Sequence, residues 1–200
     1  MIPTQRERLL EFVRQRGVVR PRDLDEIGVP REQLRRLCQT GLVERRGRGI
    51  YVSADATPTE NDTIAEAARR VPEGVVCLLS ALRYHDLTTQ APFEVWIAID
   101  RKNRLPTVDY PPIRFVRFSG DALSFGVEAK QVGKVPIRVY SPAKTVADCF
   151  KYRNKIGLDV AIESLRDCWK QKKATSDELW EAAKVCRMAN IMRPYMEALV

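Results

Sequence analysis

The sequence predicts an α+β fold in two parts: a small helical part at the N-terminus and a larger mixed part that ends in helices. Helical periodicity followed by a glycine-bearing pair of strands fills the first quarter of the chain. After a short polar stretch, strand-like segments precede a run of helical segments, an order typical of α+β proteins. With 200 residues and 44% hydrophobic side chains, the chain can bury a core in one large or two small domains.

The first part begins with three predicted helices. The first helix starts at a capping box formed by Thr4 and Glu7, and Gly17 ends it. A second, short helix follows Pro21, because proline is preorganised for a first helical turn. After a Gly-Val-Pro break, a third helix is predicted over residues 31–40. Two short helices joined by a glycine-containing break are typical of a helix-turn-helix.

The third helix has one apolar face and one polar face. Leu34, Leu37 and Cys38 are spaced to lie on one side and are expected to pack inward. The side chains expected to point away or to flank that face are Arg31, Glu32, Gln33, Arg35, Arg36, Gln39 and Thr40. Arginine and glutamine hydrogen-bond the base edges of guanine and adenine in the major groove. The pattern therefore favours a recognition helix over a plain solvated face.

A basic strand pair follows this helix directly. Leu42-Val43 and the segment 50–52 are predicted strand ends, and the segment Arg45-Arg46-Gly47-Arg48-Gly49 is predicted to form the turn. The tip of such a wing lies along the phosphate backbone or in the minor groove. Residues 1–53 are therefore predicted to be a winged helix-turn-helix DNA-binding domain.

The positive charge is concentrated in this first part. The chain has a net charge of +8, and residues 1–52 contain twelve arginines, no lysine and seven acidic side chains. Arginine grips phosphates and guanine edges with a planar fork, so double-stranded DNA is the expected partner, although a solubility surface explains charge alone equally well. The predicted DNA-binding residues are Arg20, Arg22, Arg31, Gln33, Arg35, Arg36, Gln39, Arg45, Arg46 and Arg48.

Residues 54–59 are predicted to be a linker, and residues 60–200 a second, α+β domain. The second domain is expected to begin with a helix over 60–71, and its sheet to carry helices on one side. The predicted strands are 75–79, 93–99, 113–118, 127–132 and 136–140. The later predicted helices are 141–153, 158–172, 177–187 and 191–199.

Four segments in this order resemble one known family. Residues 33–51 are similar to the N-terminal winged helix of the AbiEi-type antitoxins, which belong to bacterial abortive-infection toxin–antitoxin operons described as type IV. Residues 79–88 resemble the family's S-A-L-x-x-H-G-L-T block, 95–99 its following strand, and 141–150 its S-P-x-[KR]-T-[LV]-x-D helix start. Asp86 replaces the usual glycine, so this position is expected to strain an aspartate backbone moderately.

The resemblance implies a protein with two tasks. Its winged helix would repress its own operon by binding inverted repeats in the promoter. Its C-terminal domain would counteract a nucleotidyltransferase-like toxin encoded by the neighbouring gene. In that arrangement catalysis belongs to the toxin, so the resemblance implies no catalytic residue, cofactor or metal in this chain.

The residues themselves also give little sign of an enzyme. Ser80 and the single histidine, His85, are too far apart around a helix to pair, and one histidine cannot build a histidine metal site. Packing or a structural hydrogen bond is the expected role of His85. Glu128 and Lys130 have the Glu-x-Lys form found in magnesium nucleases, which leaves a DNA-targeted nuclease as an alternative. The earlier acidic residues that such a site would use are Asp86, Glu94, Asp100 and Asp109.

Several features indicate an intracellular protein. The sequence has no membrane-spanning run and no secretory signal, so we expect a cytoplasmic location without membrane contact. The cysteines, expected to be buried free thiols, are Cys38, Cys77, Cys149, Cys168 and Cys186. Basic clusters at 101–104 and 170–173 are expected to be solvated surface rather than contacts to toxin or DNA. A winged-helix regulator with a ligand-sensing C-terminal domain remains the other alternative.

Overall fold

The computed structural model describes residues 4–56, 59 and 61–199. Its N-terminal part combines three helical segments with a three-stranded sheet. Its elements are α1 (Gln5–Arg16), β1 (Val18–Val19), a 3-10 helix (Pro21–Ile27), α2 (Glu32–Gln39), β2 (Val43–Gly47) and β3 (Ile50–Ser53). β3 is central and pairs antiparallel with β1 and β2. This is the predicted winged helix-turn-helix, with β1 as a strand that the sequence analysis missed. We call residues 4–56 the head.

Local signals position the head's helices. Thr4 and Glu7 form the predicted capping box, since the Thr4 hydroxyl accepts from the Glu7 backbone N–H at 3.2 Å and Glu7 accepts from that of Thr4 at 2.8 Å. The 3-10 helix ends at Gly28 with φ +62°, a left-handed conformation that glycine adopts without a Cβ penalty. The head's own core consists of Leu9, Val13, Val19, Leu24, Val29, Leu34, Leu37 and Val43.

The remaining residues, 61–199, form a larger α+β unit that we call the body. Its first elements are α3 (Asp62–Arg70), β4 (Val75–Val76), α4 (Leu78–Tyr84), β5 (Val95–Asp100), β6 (Ile113–Phe118) and α5 (Asp121–Ser124). They are followed by β7 (Val127–Val132), β8 (Val135–Tyr140), α6 (Pro142–Lys151), α7 (Arg153–Ile156), α8 (Leu158–Lys170), α9 (Ser176–Val185) and α10 (Ala189–Glu197). Among the described residues, the body's sheet has the order β6-β5-β4-β8-β7, with parallel β5–β6 and β4–β8 pairs.

The body's sheet is covered on both faces. On β5, Trp96 and Ala98 pack into the helical layer that includes α4, α6, α8 and α9, whereas Val95, Ile97 and Ile99 face α3 and the head. The expectation that helices cover one side only is therefore wrong. The reason is that the head's sheet and α3 together bury the second face, which a strand buried on both faces requires.

Two predicted boundaries need correction. The apolar run 75–79 contains only the two-residue β4, and α4 begins at Leu78. A short apolar run does not distinguish a strand from a buried helix, and here Leu78 and Leu82 are buried one helical turn apart. Part of the predicted linker, residues 57–58, and the predicted helix start at residue 60 lie outside the described residues. Within them, the helix begins at Asp62.

The cysteines are free thiols, as predicted. Cys77, Cys149, Cys168 and Cys186 are buried and Cys38 is half-buried. Burial raises the pKa of Cys168 to about 11 and that of Cys186 to about 12, so both thiols are protonated near neutral pH. None of the described helices is long and apolar enough to cross a bilayer.

Candidate nucleic-acid interface

α2 presents a polar face to solvent. Leu34 and Leu37 are buried beneath it, while Arg35 and Arg36 are 71% and 65% exposed. Both arginines lie near Glu32, with Arg35 Nη2 3.2 Å and Arg36 Nε 4.0 Å from Glu32 Oε1. Exposed ion pairs of this kind contribute little stability, so either guanidinium can exchange Glu32 for a base edge or a phosphate at low cost.

The other predicted residues around α2 lie at its edges. Gln39 is exposed in the last turn, and Gln33 is half-buried on the flank. Arg31, just before the helix, is exposed and lies 3.3 Å from Asp25. Arg22 is exposed on the 3-10 helix. Arg22, Arg31 and Gln39 are therefore accessible to a partner, and Gln33 is partly so.

Arg20 does not belong to this surface. Its side chain is only 14% exposed, and its Nη2 lies 3.2 Å from Asp23 Oδ1. Its guanidinium also donates to the backbone carbonyl of Arg69 in the body. Arg20 is therefore occupied in joining head to body, and the prediction that it binds DNA is not supported. Its position beside Pro21 gives no sign of this burial.

The turn of the wing is shorter than predicted. β2 continues to Gly47, so Arg45 and Arg46 lie on the strand, and only Arg48-Gly49 forms the turn. Arg45 lies near Cys38 of α2, where its charge opposes the rise in the pKa of that thiol caused by burial. Arg46 instead lies 3.2 Å from Glu44 and near Glu66 of the body. Neighbouring arginines thus face opposite sides of the strand, at the point where its register with β3 shifts.

The wing also contacts the body. Arg48 Nη1 lies 3.5 Å from Asp109 Oδ2, on the loop between β5 and β6. A Cβ atom on Gly47 would lie 2.6 Å from Cδ1 of Tyr110, so only glycine allows the wing to approach this loop so closely. Asp109 and Tyr110 are contacts that sequence reasoning missed, because no local pattern links a loop residue to a wing sixty residues earlier.

His85 and its neighbours have structural roles. His85 is buried, its Nε2 lies 2.7 Å from the carbonyl oxygen of Tyr140, and burial lowers its pKa. The Ser80 hydroxyl accepts from the Trp96 backbone N–H at 2.9 Å and is not paired with His85. Both expectations are confirmed. Asp86 has φ +56°, the left-handed conformation in which glycine is favoured, as its replacement of glycine predicted.

The two side chains of the Glu-x-Lys motif contact each other. On β7, Lys130 Nζ lies 3.1 Å from Glu128 Oε2. The proposed accompanying acids are dispersed: Glu94 pairs with Arg114 at 2.8 Å, and Asp109 with Arg48. Within the described part of the chain, no group of three or more His, Cys, Asp or Glu side chains is arranged to hold a metal ion. Nothing in this arrangement favours the nuclease alternative.

The two basic clusters differ from each other. Arg101, Lys102 and Arg104 are exposed on the loop after β5, as expected of solvated surface. Lys173, by contrast, donates to the backbone carbonyl of His85 and lies 3.4 Å from Asp86 Oδ2. The second cluster therefore contributes one lysine that ties the end of α8 to the left-handed turn after α4.

Comparisons with known proteins agree with the fold and with the resemblance. The model of a family described as "Transcriptional regulator, AbiEi antitoxin" matches residues 7–54. This confirms the resemblance for the head, which is the segment that carries the candidate interface. A crystal structure of the RV2827C protein from Mycobacterium tuberculosis is similar with a TM-score of 0.53 at 14% identity, covering 100% of this chain and 81% of that chain. That likeness shows a shared fold. No curated protein matches the sequence.

Proposed function

We propose that this chain is the antitoxin and autoregulatory repressor of a bacterial toxin–antitoxin operon. The match of residues 7–54 to an antitoxin regulator family supports the class of protein. The exposed Arg35–Arg36 face of α2, within that matched segment, is the observation that carries DNA binding. The proposed target is a pair of inverted repeats in the operon's own promoter, read in the bacterial cytoplasm.

In this proposal α2 enters the major groove. Arg35 and Arg36 hydrogen-bond guanine edges and Gln39 an adenine edge, since their side chains match those donor and acceptor patterns. Arg45 and Arg48 of the wing bind phosphates or enter the adjacent minor groove. The full set of proposed contacts is Arg22, Arg31, Gln33, Arg35, Arg36, Gln39, Arg45 and Arg48.

The body is proposed to counteract a nucleotidyltransferase-like toxin. The support is the resemblance of residues 79–88 and 141–150 to antitoxin blocks. In the structure these segments include α4 and α6, which contact each other, and His85 after α4 is bonded to the carbonyl oxygen of Tyr140 before α6. Because these blocks are largely buried, they are proposed to stabilise the body, and the toxin would meet other residues of its surface.

Binding to the operon's promoter tests the first half of the proposal. Purified full chain is titrated with its upstream promoter and with a scrambled duplex of equal length at several salt concentrations. We expect specific binding to be roughly a thousandfold or more tighter than non-specific binding, with a steep loss of affinity as salt rises. Equal affinity for the two duplexes at moderate salt would refute promoter recognition.

Co-expression tests the second half. The full chain is produced together with the product of the neighbouring gene, and bacterial growth is followed with and without it. Rescue of growth by a head variant that no longer binds the promoter would separate toxin counteraction from repression. No rescue by the wild-type chain, or a neighbouring product without toxicity, would favour the ligand-sensing regulator instead.

A further inference from the structure

A cavity of about 420 Å³ lies between head and body. The end of α1 and the head's sheet form one wall, and α3 and the turn between β7 and β8 form the other. Much of its lining is aliphatic, contributed by Val13, Val18, Val52, Ala65 and Val135, all of them buried. This volume and lining fall within the usual range of small-molecule sites.

The cationic side chains on the cavity wall already have partners. Arg14 contacts Asp55, with Nε and Nη2 at 3.0 and 2.8 Å from Oδ2. Arg46 lies 3.2 Å from Glu44, and Lys134 Nζ donates to the carbonyl oxygen of Arg14 at 2.7 Å. Two of these three cations are thus paired with carboxylates, whereas Lys134 is exposed and bonded to a backbone carbonyl.

One carboxylate on the wall is different. Glu66 is only 3% exposed, and its Oε2 has no hydrogen-bond partner among the residues that the structure describes. Burial raises the pKa of Glu66, opposed by the nearby charge of Arg46 and by a hydrogen bond from the Tyr110 hydroxyl. A buried carboxylate oxygen without a donor is costly. Because Oε2 is itself closed to water, a donor from the cavity would remove that cost after a turn of the Glu66 side chain.

We infer that this cavity binds a small organic cation, with its ammonium or amidinium group on Glu66 and its hydrocarbon part against Val13, Val52 and Val135. The charged group would supply the missing donor. The aliphatic wall would take the apolar part out of water, and the two requirements together select an amphiphilic cation over a simple metal ion or a neutral hydrocarbon.

The ligand would also act on DNA binding. It would touch the head's strands and the body's α3 at once, so its binding would hold the two in this arrangement. Glu66 also lies near Tyr110, whose ring lies against Gly47 of the wing. Occupancy of the cavity therefore changes promoter affinity, and by linkage promoter DNA changes ligand affinity by the same factor.

Phenethylammonium is a suitable probe, because it joins one ammonium group to a compact apolar body. Its binding to the full chain is measured by calorimetry beside 2-phenylethanol, which lacks the charge. We expect saturable one-site binding of the cation and about tenfold or more weaker binding of the alcohol. Absence of saturable binding by the cation, or equal affinity for the two compounds, would overturn the inference.

Two substitutions locate the site. Glu66→Gln should weaken phenethylammonium binding by about tenfold or more, whereas Glu128→Gln, which alters a half-buried carboxylate on β7 outside this cavity, should leave it unchanged. If Glu66→Gln does not fold, Ala56→Trp serves, because residue 56 is exposed at the cavity rim and a large side chain there blocks entry. Unchanged binding in a folded Glu66→Gln or Ala56→Trp variant would overturn the inference.

The promoter titration is then repeated with saturating phenethylammonium. We expect promoter affinity to change by severalfold in the wild-type chain and to stay constant in Ala56→Trp. An unchanged wild-type affinity would overturn the link between the cavity and DNA. Because promoter recognition without the probe is measured separately, failure of this inference leaves the proposed function standing. Failure of promoter recognition would remove the link to DNA, while the calorimetry would still test binding in the cavity.

Discussion

Asp23 lies buried between two arginines from different parts of the chain. It accepts from the backbone N–H of Arg20 at 2.9 Å and from that residue's Nη2 at 3.2 Å, and it also accepts from the Arg69 guanidinium on α3. Removal of one member of such a buried group leaves charges without a partner. Asp23 therefore joins Arg20 of the head to Arg69 of the body.

Asp23→Asn should lower the free energy of unfolding by about 3 kcal/mol, because two largely buried guanidinium groups lose their carboxylate. Asp25→Asn is the matched control, since Asp25 is exposed and lies 3.3 Å from an exposed Arg31, and should cost under about 1 kcal/mol. Urea unfolding followed by circular dichroism measures both. Equal losses in the two variants would contradict this assignment.

The Asp23 carboxylate should also make the free energy of unfolding fall as the pH is lowered into the acid range. Burial would raise the pKa of Asp23, but hydrogen bonds from Arg20 and the charge of Arg69 outweigh it and hold the pKa below its usual value. This contribution is present above the pKa of the unfolded chain and is lost as pH falls through the lower folded pKa. Unfolding free energies measured below about pH 4 should therefore fall less steeply in Asp23→Asn than in wild type.

Arg36 is the residue that best tests base reading. Arg36→Ala should weaken binding to the promoter by about 1–3 kcal/mol, with a smaller effect on scrambled DNA, because a base contact carries sequence information. Arg166→Ala, on the exposed side of α8, removes the same charge far from α2 and should leave both affinities nearly unchanged. An equal loss on the two duplexes would make Arg36 a phosphate contact.

At the scale of elements, β2 divides the wing's arginines between two surfaces. Arg45 lies on the side of α2, and Arg46 faces Glu44 and the body. Arg48, in the turn, is exposed and near Asp109. A strand alternates its side chains, so three arginines close together in sequence do not act as one basic patch.

The salt dependence of promoter binding tests this division. Alanine substitution of Arg45 and Arg48 together should reduce the slope of log K against log salt by about one unit for each lost phosphate contact. Arg46→Ala alone should leave the slope unchanged, since that side chain points to the body. A slope unchanged by the double variant would remove the wing from the DNA interface.

At the scale of the molecule, head and body are joined by an apolar cluster to which both contribute, beside the core that each part has of its own. Val18, Ile50 and Val52 of the head pack with α3 and with residues of the body's sheet such as Val135. We propose a boundary between residues 53 and 60 that separates the part that binds DNA from the part that counteracts the toxin. The shared cluster indicates that the two parts stabilise each other and are not independently folded units on a tether.

Ile50→Ala should destabilise the whole molecule by about 2–5 kcal/mol, because it opens space in this shared cluster. The tryptophans, Trp96, Trp169 and Trp180, all lie in the body, so their fluorescence reports on the body. We expect the fluorescence transition to shift as much as the circular dichroism transition. Leu37→Ala, in the head's own core, should shift both transitions in the same way. If neither variant shifted the fluorescence transition of the body, head and body would unfold independently.

Much of the local structure followed from the sequence by itself. The capping box at Thr4 and the buried stripe of α2 depend on residues a few positions apart. Short-range geometry is sufficient for such features. The outward Arg35–Arg36 face, and with it the candidate interface, was predictable for the same reason.

Other features were decided only by the tertiary structure. Arg20 is withdrawn from the surface because Asp23 and α3 lie against it, and Arg46 lies where the register between β2 and β3 shifts, on the side of the body. β1 exists as a strand only through that same sheet, and Glu66 lines a cavity only because the head covers it. Each depends on contacts between residues far apart along the chain, where burial and pairing override what the neighbouring residues favour.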